Sequence, residues 1–185
     1  MPTECGTPVY TGRTPTADST VVAFLRQAGA IIMGKSVTTE LAMYSPGKTR
    51  NPHDPERTPG GSSSGSAAAV ASGMVPLAIG SQTAGSMIRP ASFCGTVGFK
   101  PTHGRISRHG ALMLSRTLDT VGVFGRTVED VALIGDALSL FDAADPDMKP
   151  TAPLGLSYKM YPLNLPSNRF LPSSNRRFGK KPGPT

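Results

Sequence analysis

Two glycine- and serine-rich stretches hold the residues whose types and spacing could do chemistry. Residues 60–66 read GGSSSGS, and residues 80–86 read GSQTAGS. Small residues lose much backbone entropy when they become ordered, so a fold that needed only two turns would use fewer of them. Their density predicts that a ligand lies close to the backbone of both stretches.

The chemistry on offer is that of an activated hydroxyl. A serine is a poor nucleophile unless a base removes its proton and hydrogen-bond donors receive the developing oxyanion. Ser86 follows Thr83, Ala84 and Gly85, whose N–H groups can converge on such a charge, and Ser62 can pass the proton onward. No histidine and acid are placed for a Ser-His-Asp triad. The residues alone are equally compatible with serines that only cap helices and close turns.

The elements that must position these serines alternate between helical and extended patterns. Apolar stripes and alanine-rich sequence predict helices over about residues 18–28, 66–72 and 127–140. Asp18 is the predicted cap of the first helix, and a capping box at Thr127 opens the last. Short apolar runs predict strands at 30–33, 76–80, 93–102 and 118–124. This alternation predicts an α/β fold in which the slim alanine helix packs closely and brings Ser62 near Ser86.

One short motif suggests phosphate binding instead. Residues 29–36 match the pattern G-x4-G-K-[ST]. That site needs an open loop whose N–H groups face the phosphates, with a strand before the motif. Here the four middle residues are themselves the apolar strand, so Lys35 is predicted to be a solvated lysine at its end. The histidines at positions 53, 103 and 109 lie in polar loops and are predicted to be surface residues.

Composition and charge argue against several classes of protein. No apolar run approaches the roughly 20 residues of a membrane-spanning helix, and the N-terminus lacks the features of a secretory signal, which predicts a cytoplasmic location. Cys5 and Cys94 are too few for a disulfide framework or a metal cluster. The net charge is +7, but residues 1–149 carry 13 basic and 12 acidic side chains. The excess of positive charge therefore lies in residues 150–185, which carry six basic and no acidic side chains. Nucleic-acid binding would depend on this segment alone, and no nucleic-acid partner is predicted.

Several motifs together resemble the amidase signature family. They lie at residues 60–69, 80–86, 88–91, 94–95 and 100–102, with further matches at 34–36, 49–52 and 118–122. The resemblance covers about residues 1–141 and implies a partial amidase-signature domain of the α/β class, with a mixed sheet flanked by helices. Residues 142–185 are predicted to be a disordered, proline-rich and basic tail unrelated to the family, because residues 150–185 are rich in proline and lack acids.

The resemblance also implies roles for individual residues. Members of the family hydrolyse amides through a Ser–cis-Ser–Lys arrangement, and no metal or cofactor is implied. Carried over, Ser86 is the nucleophile that forms an acyl-enzyme, and Ser62, after a cis peptide bond from Gly61, is the bridging serine. The backbone of residues 83–85 is the oxyanion hole. Arg89 either binds substrate or supports the loop.

Two departures from the family pattern bear on activity. Ala84 stands where the family usually has the first of two glycines, which narrows the approach of a substrate to the backbone. In relatives the catalytic lysine lies a few residues upstream of the part that resembles residues 1–4. This sequence is therefore predicted to be the middle of an amidase without its base, because Lys35 and Lys100 belong to other family motifs.

The predicted function is hydrolysis of a carbon–nitrogen amide bond through a serine nucleophile, impaired by the missing lysine. The alternative is a catalytically inactive amidase fragment or a binding remnant. The predicted partner is a small amide substrate, with neither nucleic acid nor membrane. If this sequence is the middle of an amidase, the strands on either side of it are missing from the sheet. The sheet then has unpaired edges, which predicts self-association through them.

Overall fold

A computed structural model describes residues 1–157, which contain four α-helices and three β-strands. The helices are α1 (Thr20–Gln27), α2 (Ser64–Ala71), α3 (Ile88–Cys94) and α4 (Val128–Leu138). The strands are β1 (Leu77–Gln82), β2 (Val97–Phe99) and β3 (Thr120–Gly125).

The three strands form an antiparallel sheet with β3 in the centre. Strand β1 pairs with β3 along its whole length, from Leu77 opposite Gly125 to Gln82 opposite Thr120. Strand β2 pairs with the other side of β3. Every residue of β3 is buried, because helices cover both faces of the sheet. The predicted α/β class is confirmed.

Each face of the sheet buries its own apolar cluster, as the alternation of side chains along a strand requires. Val121 and Val123 of β3 pack against α1 and α4. Phe124 points to the opposite face and packs against α2 and α3. The buried helical partners are Val21, Leu25, Val131, Ile134 and Leu138 on the first face and Ala67, Val70, Met87, Ala91 and Cys94 on the second.

Helix α2 lies close to the sheet because its buried residues are small. Ala67 is fully buried, and Ser66 Oγ donates a hydrogen bond to the carbonyl of Ile79 in β1 at 2.7 Å. Gly80 of β1 leaves room for this approach, since a Cβ there would lie 2.6 Å from Ser63 Oγ. The predicted close packing of the alanine helix is confirmed.

The prediction of a strand at residues 30–33 is wrong. The backbone there is irregular, and Ile31 and Met33 are 86% and 74% exposed, although Ile32 packs against the first cluster. A strand needs a hydrogen-bonded neighbour, and within residues 1–157 none pairs with this segment. Lys35 consequently ends no strand; its Nζ donates to the hydroxyl of Thr3.

The predicted strand at residues 93–102 is much shorter than expected. Its first two residues belong to α3, and only Val97–Phe99 is a strand. Gly95 separates the two elements with a φ of +67°, in the left-handed region that glycine adopts most easily. Apolar residues broken by glycines fit a strand, but here the same composition ends one helix and begins a short edge strand.

The helix starts were predicted with mixed success. Ser19, and not Asp18, is the N-cap of α1, while Asp18 forms an ion pair with Arg26 at 2.7 Å. The capping box of α4 is confirmed. Asp130 N–H donates to Thr127 Oγ1 at 3.1 Å, and Thr127 N–H donates to Asp130 Oδ2 at 3.1 Å.

Residues 142–157 run along the surface of α4 and the loop before β3. Met148 is buried, and Asp136 of α4 accepts hydrogen bonds from the N–H groups of Leu156 and Ser157 at 2.7 and 2.8 Å. The remainder of the predicted tail, from residue 158 onward, lies outside the described residues. The division of the chain at residue 141 stays a prediction.

Candidate active site

The two serine-rich stretches border one cavity of about 170 Å³. Ser62 and Ser86 both line it, although both residues are largely buried. Residues 111–114, from the loop that precedes β3, form an apolar wall of this cavity. A serine pair that faces an apolar wall can receive an acyl group whose carbonyl points toward the serines.

The two stretches meet through their backbones. Ser63 N–H donates to the carbonyl of Ser86 at 3.2 Å, and Ser63 Oγ donates to the carbonyl of Ser81 at 3.2 Å. The peptide bond between Gly61 and Ser62 is cis, as the resemblance predicted. The carbonyl of Ser62 accepts from the N–H of Thr39 at 3.0 Å. The expectation that Ser62 and Ser86 lie near each other is confirmed.

The hydroxyls of Ser62 and Ser86 both remain available to the cavity. Neither forms a hydrogen bond with another group in residues 1–157, and neither is among the fully enclosed side-chain oxygens without a partner. The two hydroxyls are likewise not bonded directly to each other, so the proton relay from Ser86 to Ser62 stays a prediction. Ser63 and Ser66 of the same stretch form hydrogen bonds, Ser66 with Ser36 Oγ at 2.7 Å, whereas Ser64 Oγ is buried without a partner in residues 1–157.

A row of backbone N–H groups leads up to Ser86. Within residues 1–157, no acceptor pairs with the N–H groups of residues 83–86. Gln82 holds the end of this segment, because its Oε1 accepts from the N–H groups of Met87 and Ile88 at 2.9 and 3.1 Å. Donors fixed in position beside a hydroxyl are the feature that an oxyanion hole requires. The roles of Thr83, Ala84 and Gly85 in such a hole stay predictions.

Thr83 is connected through Asp119 to the loop that forms the apolar wall. Its hydroxyl donates to Asp119 Oδ1 at 2.6 Å, while Asp119 Oδ2 accepts from the N–H groups of Leu114 and Ser115 at 2.6 and 2.9 Å. One carboxylate therefore ties the segment beside Ser86 to the loop that forms the apolar wall.

Arg89 supports the loop that carries Ser62. Its Nε donates to the carbonyl of Gly61 at 2.9 Å, and its guanidinium lies 5.7 Å from the centre of the Tyr44 ring. Of the two roles predicted for Arg89, support of the loop is consistent with its hydrogen bond to Gly61. Its terminal nitrogens form no hydrogen bond within residues 1–157, and substrate binding stays a prediction.

A buried ion network includes Arg108, which lines the cavity. Arg108 donates to both oxygens of Asp145 at 3.0 and 3.1 Å and to Asp147 at 2.5 Å, with only 4% of its side chain exposed. Burial opposes the charge on Asp145, but the hydrogen bonds and charge of Arg108 prevail and lower the pKa of Asp145 to about 2. Arg108 also donates to the carbonyls of Arg116 and Asp119 at 2.6 and 3.5 Å, so the network anchors the wall loop.

Other reactive groups in residues 1–157 lie away from the two serines or lack a partner. No lysine or histidine of this part lines the cavity. Lys100 donates to the carbonyl of Pro101 at 2.7 Å, and His53 Nε2 lies 2.9 Å from the carbonyl of Cys94. Burial raises the pKa of the Cys94 thiol, whereas Cys5 borders the cavity; both cysteines are free. No group of side chains in the described range has the arrangement of a metal site.

Several residues of the site were not predicted. Asp119 belongs to a stretch that resembles the family, but its contact with Thr83 spans 36 residues. Arg108 and Asp145 lie 37 residues apart. The only signal in the sequence was the charge of these residues, since an arginine that becomes buried needs an acidic partner.

None of the helices in residues 1–157 has the length and apolar character needed to cross a bilayer.

Comparisons with known proteins agree on the relationship. The family model described as Amidase matches residues 1–166. A glutamyl-tRNA(Gln) amidotransferase subunit from Sulfurihydrogenibium sp. (strain YO3AOP1) is 49% identical over an alignment of 149 positions that covers 77% of this chain and 31% of that protein. The corresponding protein of Salinibacter ruber is 43% identical over an alignment of 181 positions that covers 91% of this chain and 35% of that protein.

Solved structures have the same fold. The corresponding glutamyl-tRNA(Gln) amidotransferase protein from Thermotoga maritima superimposes with a TM-score of 0.77 at 42% identity, over 82% of this chain and 35% of that chain. The peptide amidase from Stenotrophomonas maltophilia superimposes with a TM-score of 0.76 at 38% identity, over 80% and 33%. The chain spans about a third of the length of these relatives. On the family match and these identities, the chain belongs to the amidase family.

Proposed function

We propose that this chain carries the serine centre of an amide hydrolase. In the first step, Ser86 Oγ attacks the amide carbonyl carbon, and its proton passes by way of Ser62 to the leaving nitrogen. The carbon–nitrogen bond then breaks, an amine or ammonia departs, and water hydrolyses the acyl-enzyme. The N–H groups of Thr83, Ala84 and Gly85 receive the negative charge on the carbonyl oxygen, each contributing about 3 kcal/mol.

One observation carries the proposal. Two serine hydroxyls without a partner in residues 1–157 face the same cavity, beside a row of N–H groups that likewise lack acceptors in that part of the chain. A fold that used these residues only for turns and caps would satisfy such donors locally. The family relationship supports an amide as the substrate.

A catalytically inactive domain is the second candidate. It is favoured by the lining of the cavity, to which no lysine within residues 1–157 contributes. Loss of one member of a coupled catalytic set typically lowers the rate by several powers of ten. The two candidates therefore predict measurable but slow turnover in one case and none in the other. Cytoplasmic location and self-association through the sheet edges stay predictions.

Ammonia release from a panel of amides distinguishes the candidates. The panel contains butyramide, glutamine and a C-terminally amidated peptide, since one relative is named a peptide amidase. The proposal expects release by the wild type that falls to background in Ser86→Ala and by at least about tenfold in Ser62→Ala. Release that is equal in the wild type and Ser86→Ala for every amide would refute the proposed function.

A further inference from the structure

A threonine hydroxyl on the cavity wall is held in one orientation. Thr83 Oγ1 donates to Asp119 Oδ1 at 2.6 Å, a short distance that is typical of a hydroxyl bound to a carboxylate. Asp119 is itself fixed, because its other oxygen accepts from the N–H groups of Leu114 and Ser115. Asp119 is 9% exposed, so water competes little for these bonds. Thr83 and Asp119 both line the cavity, and the proton of the Thr83 hydroxyl is directed at Asp119.

What Thr83 offers to the cavity is a hydrogen-bond acceptor. A hydroxyl has one proton to donate and two positions at which it can accept. Since the proton is committed to Asp119, Thr83 Oγ1 can only accept from a bound molecule. The residues that follow, 84–86, offer N–H donors from the same loop. The loop thus presents an acceptor next to donors.

A carboxamide that bears an N–H complements this pair of groups. Its carbonyl oxygen needs donors, and its N–H needs an acceptor. An ester has the same carbonyl oxygen but no N–H, so it would leave the oxygen of Thr83 without a partner. A site built to hydrogen-bond a donor discriminates strongly against an analogue that lacks it.

We infer that Thr83 Oγ1 accepts a hydrogen bond from the N–H of the scissile amide, and that Asp119 is the positioning residue that keeps Thr83 in its accepting orientation. The site then selects amides that carry an N–H over esters of the same acid. This inference rests on the proposed function, because it assigns the leaving nitrogen a binding group in the same cavity.

The test compares two substrates that differ in one atom of the leaving group. These are the 4-nitroanilide and the 4-nitrophenyl ester of butyric acid, each corrected for the rate with Ser86→Ala. The readout is the ratio of kcat/KM for the anilide to kcat/KM for the ester. Loss of one hydrogen bond from the transition state is expected to lower this ratio about tenfold in Thr83→Val. Thr83→Ser, which keeps the hydroxyl, restores the ratio.

Two further variants make the assignment specific. In Asp119→Asn the new amide group donates to Thr83 Oγ1 and frees its proton, so the ratio falls in the same direction. Thr120→Val removes another hydroxyl from the cavity wall, one that donates to the carbonyl of Leu118 at 3.2 Å, and is expected to leave the ratio unchanged. Circular dichroism verifies that each variant is folded.

The outcomes separate this inference from the proposed function. An equal loss for both substrates in Thr83→Val would mean that the threonine only supports the fold, and this overturns the inference. A shift of the ratio in Thr120→Val, and not in Thr83→Val, also overturns it. Ester turnover that depends on Ser86, with an unchanged ratio in Thr83→Val, refutes the inference alone. Absence of Ser86-dependent turnover for both substrates refutes the proposed function and the inference with it.

Discussion

The buried ion pair between Arg108 and Asp145 should govern the stability of the cavity wall. In Asp145→Asn the guanidinium of Arg108, which is 4% exposed, loses its principal counter-charge. Breaking a buried pair from one side typically costs about 3 to 5 kcal/mol. The lower value of about 3 kcal/mol is expected here, because Asp147 stays in contact with Arg108 at 2.5 Å.

Urea unfolding measures this loss directly. The chain contains no tryptophan, so the transition is followed by circular dichroism. With an m-value of about 2 kcal/mol/M, a loss of about 3 kcal/mol lowers the midpoint by about 1.5 M at constant slope. The control is Asp54→Asn, which breaks an exposed pair with Arg57 and should change the free energy of unfolding by less than about 1 kcal/mol. A midpoint for Asp145→Asn within about 0.3 M of the wild type would refute the reasoning.

The same pair predicts a dependence of stability on pH. The pKa of Asp145 is lowered to about 2 from its ordinary value of 3.8. A carboxyl whose pKa is lower in the folded state stabilises the protein above its ordinary pKa, and this contribution is lost as the pH falls toward 2. The loss amounts to about 2 kcal/mol for a shift of this size. Asp145→Asn should therefore show a shallower fall in unfolding free energy between pH 4 and pH 2, and an identical pH profile would contradict the assignment.

Three further substitutions test the packing around the two serines by thermal unfolding. Gly80→Ala places a Cβ 2.7 Å from the ring of Phe124 and should lower the free energy of unfolding by about 2 kcal/mol. The control, Gly34→Ala, has nothing within 4 Å of the new Cβ and should be neutral or slightly stabilising. Equal effects of the two substitutions would contradict the packing described for Gly80. Gln82→Ala removes the acceptor for the first amides of α3 and should cost about 1 kcal/mol, unlike Gln82→Glu, which retains an acceptor. Ser64→Ala should not lower the melting temperature, because Ser64 Oγ is buried without a partner in residues 1–157, and a loss above about 1 kcal/mol would argue for an unseen bond.

Local chemistry explains why the meeting of the two serine stretches was predictable, whereas the roles of Ser62 and Ser86 came from the family resemblance. Ser62 and Ser86 lie in stretches whose small residues and short spacing already demand close backbone contact. The capping box at Thr127 was predictable for the same reason, since both of its partners lie within one helical turn. The alanine helix was predictable because alanine favours helix and leaves no bulk between the helix and the sheet.

Features that depend on distant partners were not predictable. Residues 30–33 have the composition of a strand, but a strand also needs a neighbour, and residues 1–157 supply none for this segment. The bond between Thr83 and Asp119 and the ion pair between Arg108 and Asp145 each join positions more than 30 residues apart. No periodicity or spacing signals such contacts, since they arise from the way the loops fold over the sheet.

The most direct test of the serine assignment is the site at which the chain becomes acylated. The wild type is incubated with a fluorophosphonate, which bonds covalently to activated serines, and the labelled peptide is located by mass spectrometry. The account predicts a single adduct on Ser86, absent in Ser86→Ala and slowed in Ser62→Ala. An adduct on Ser62, Ser63 or Ser64 with Ser86 unmodified, or no adduct on a folded chain, would contradict it.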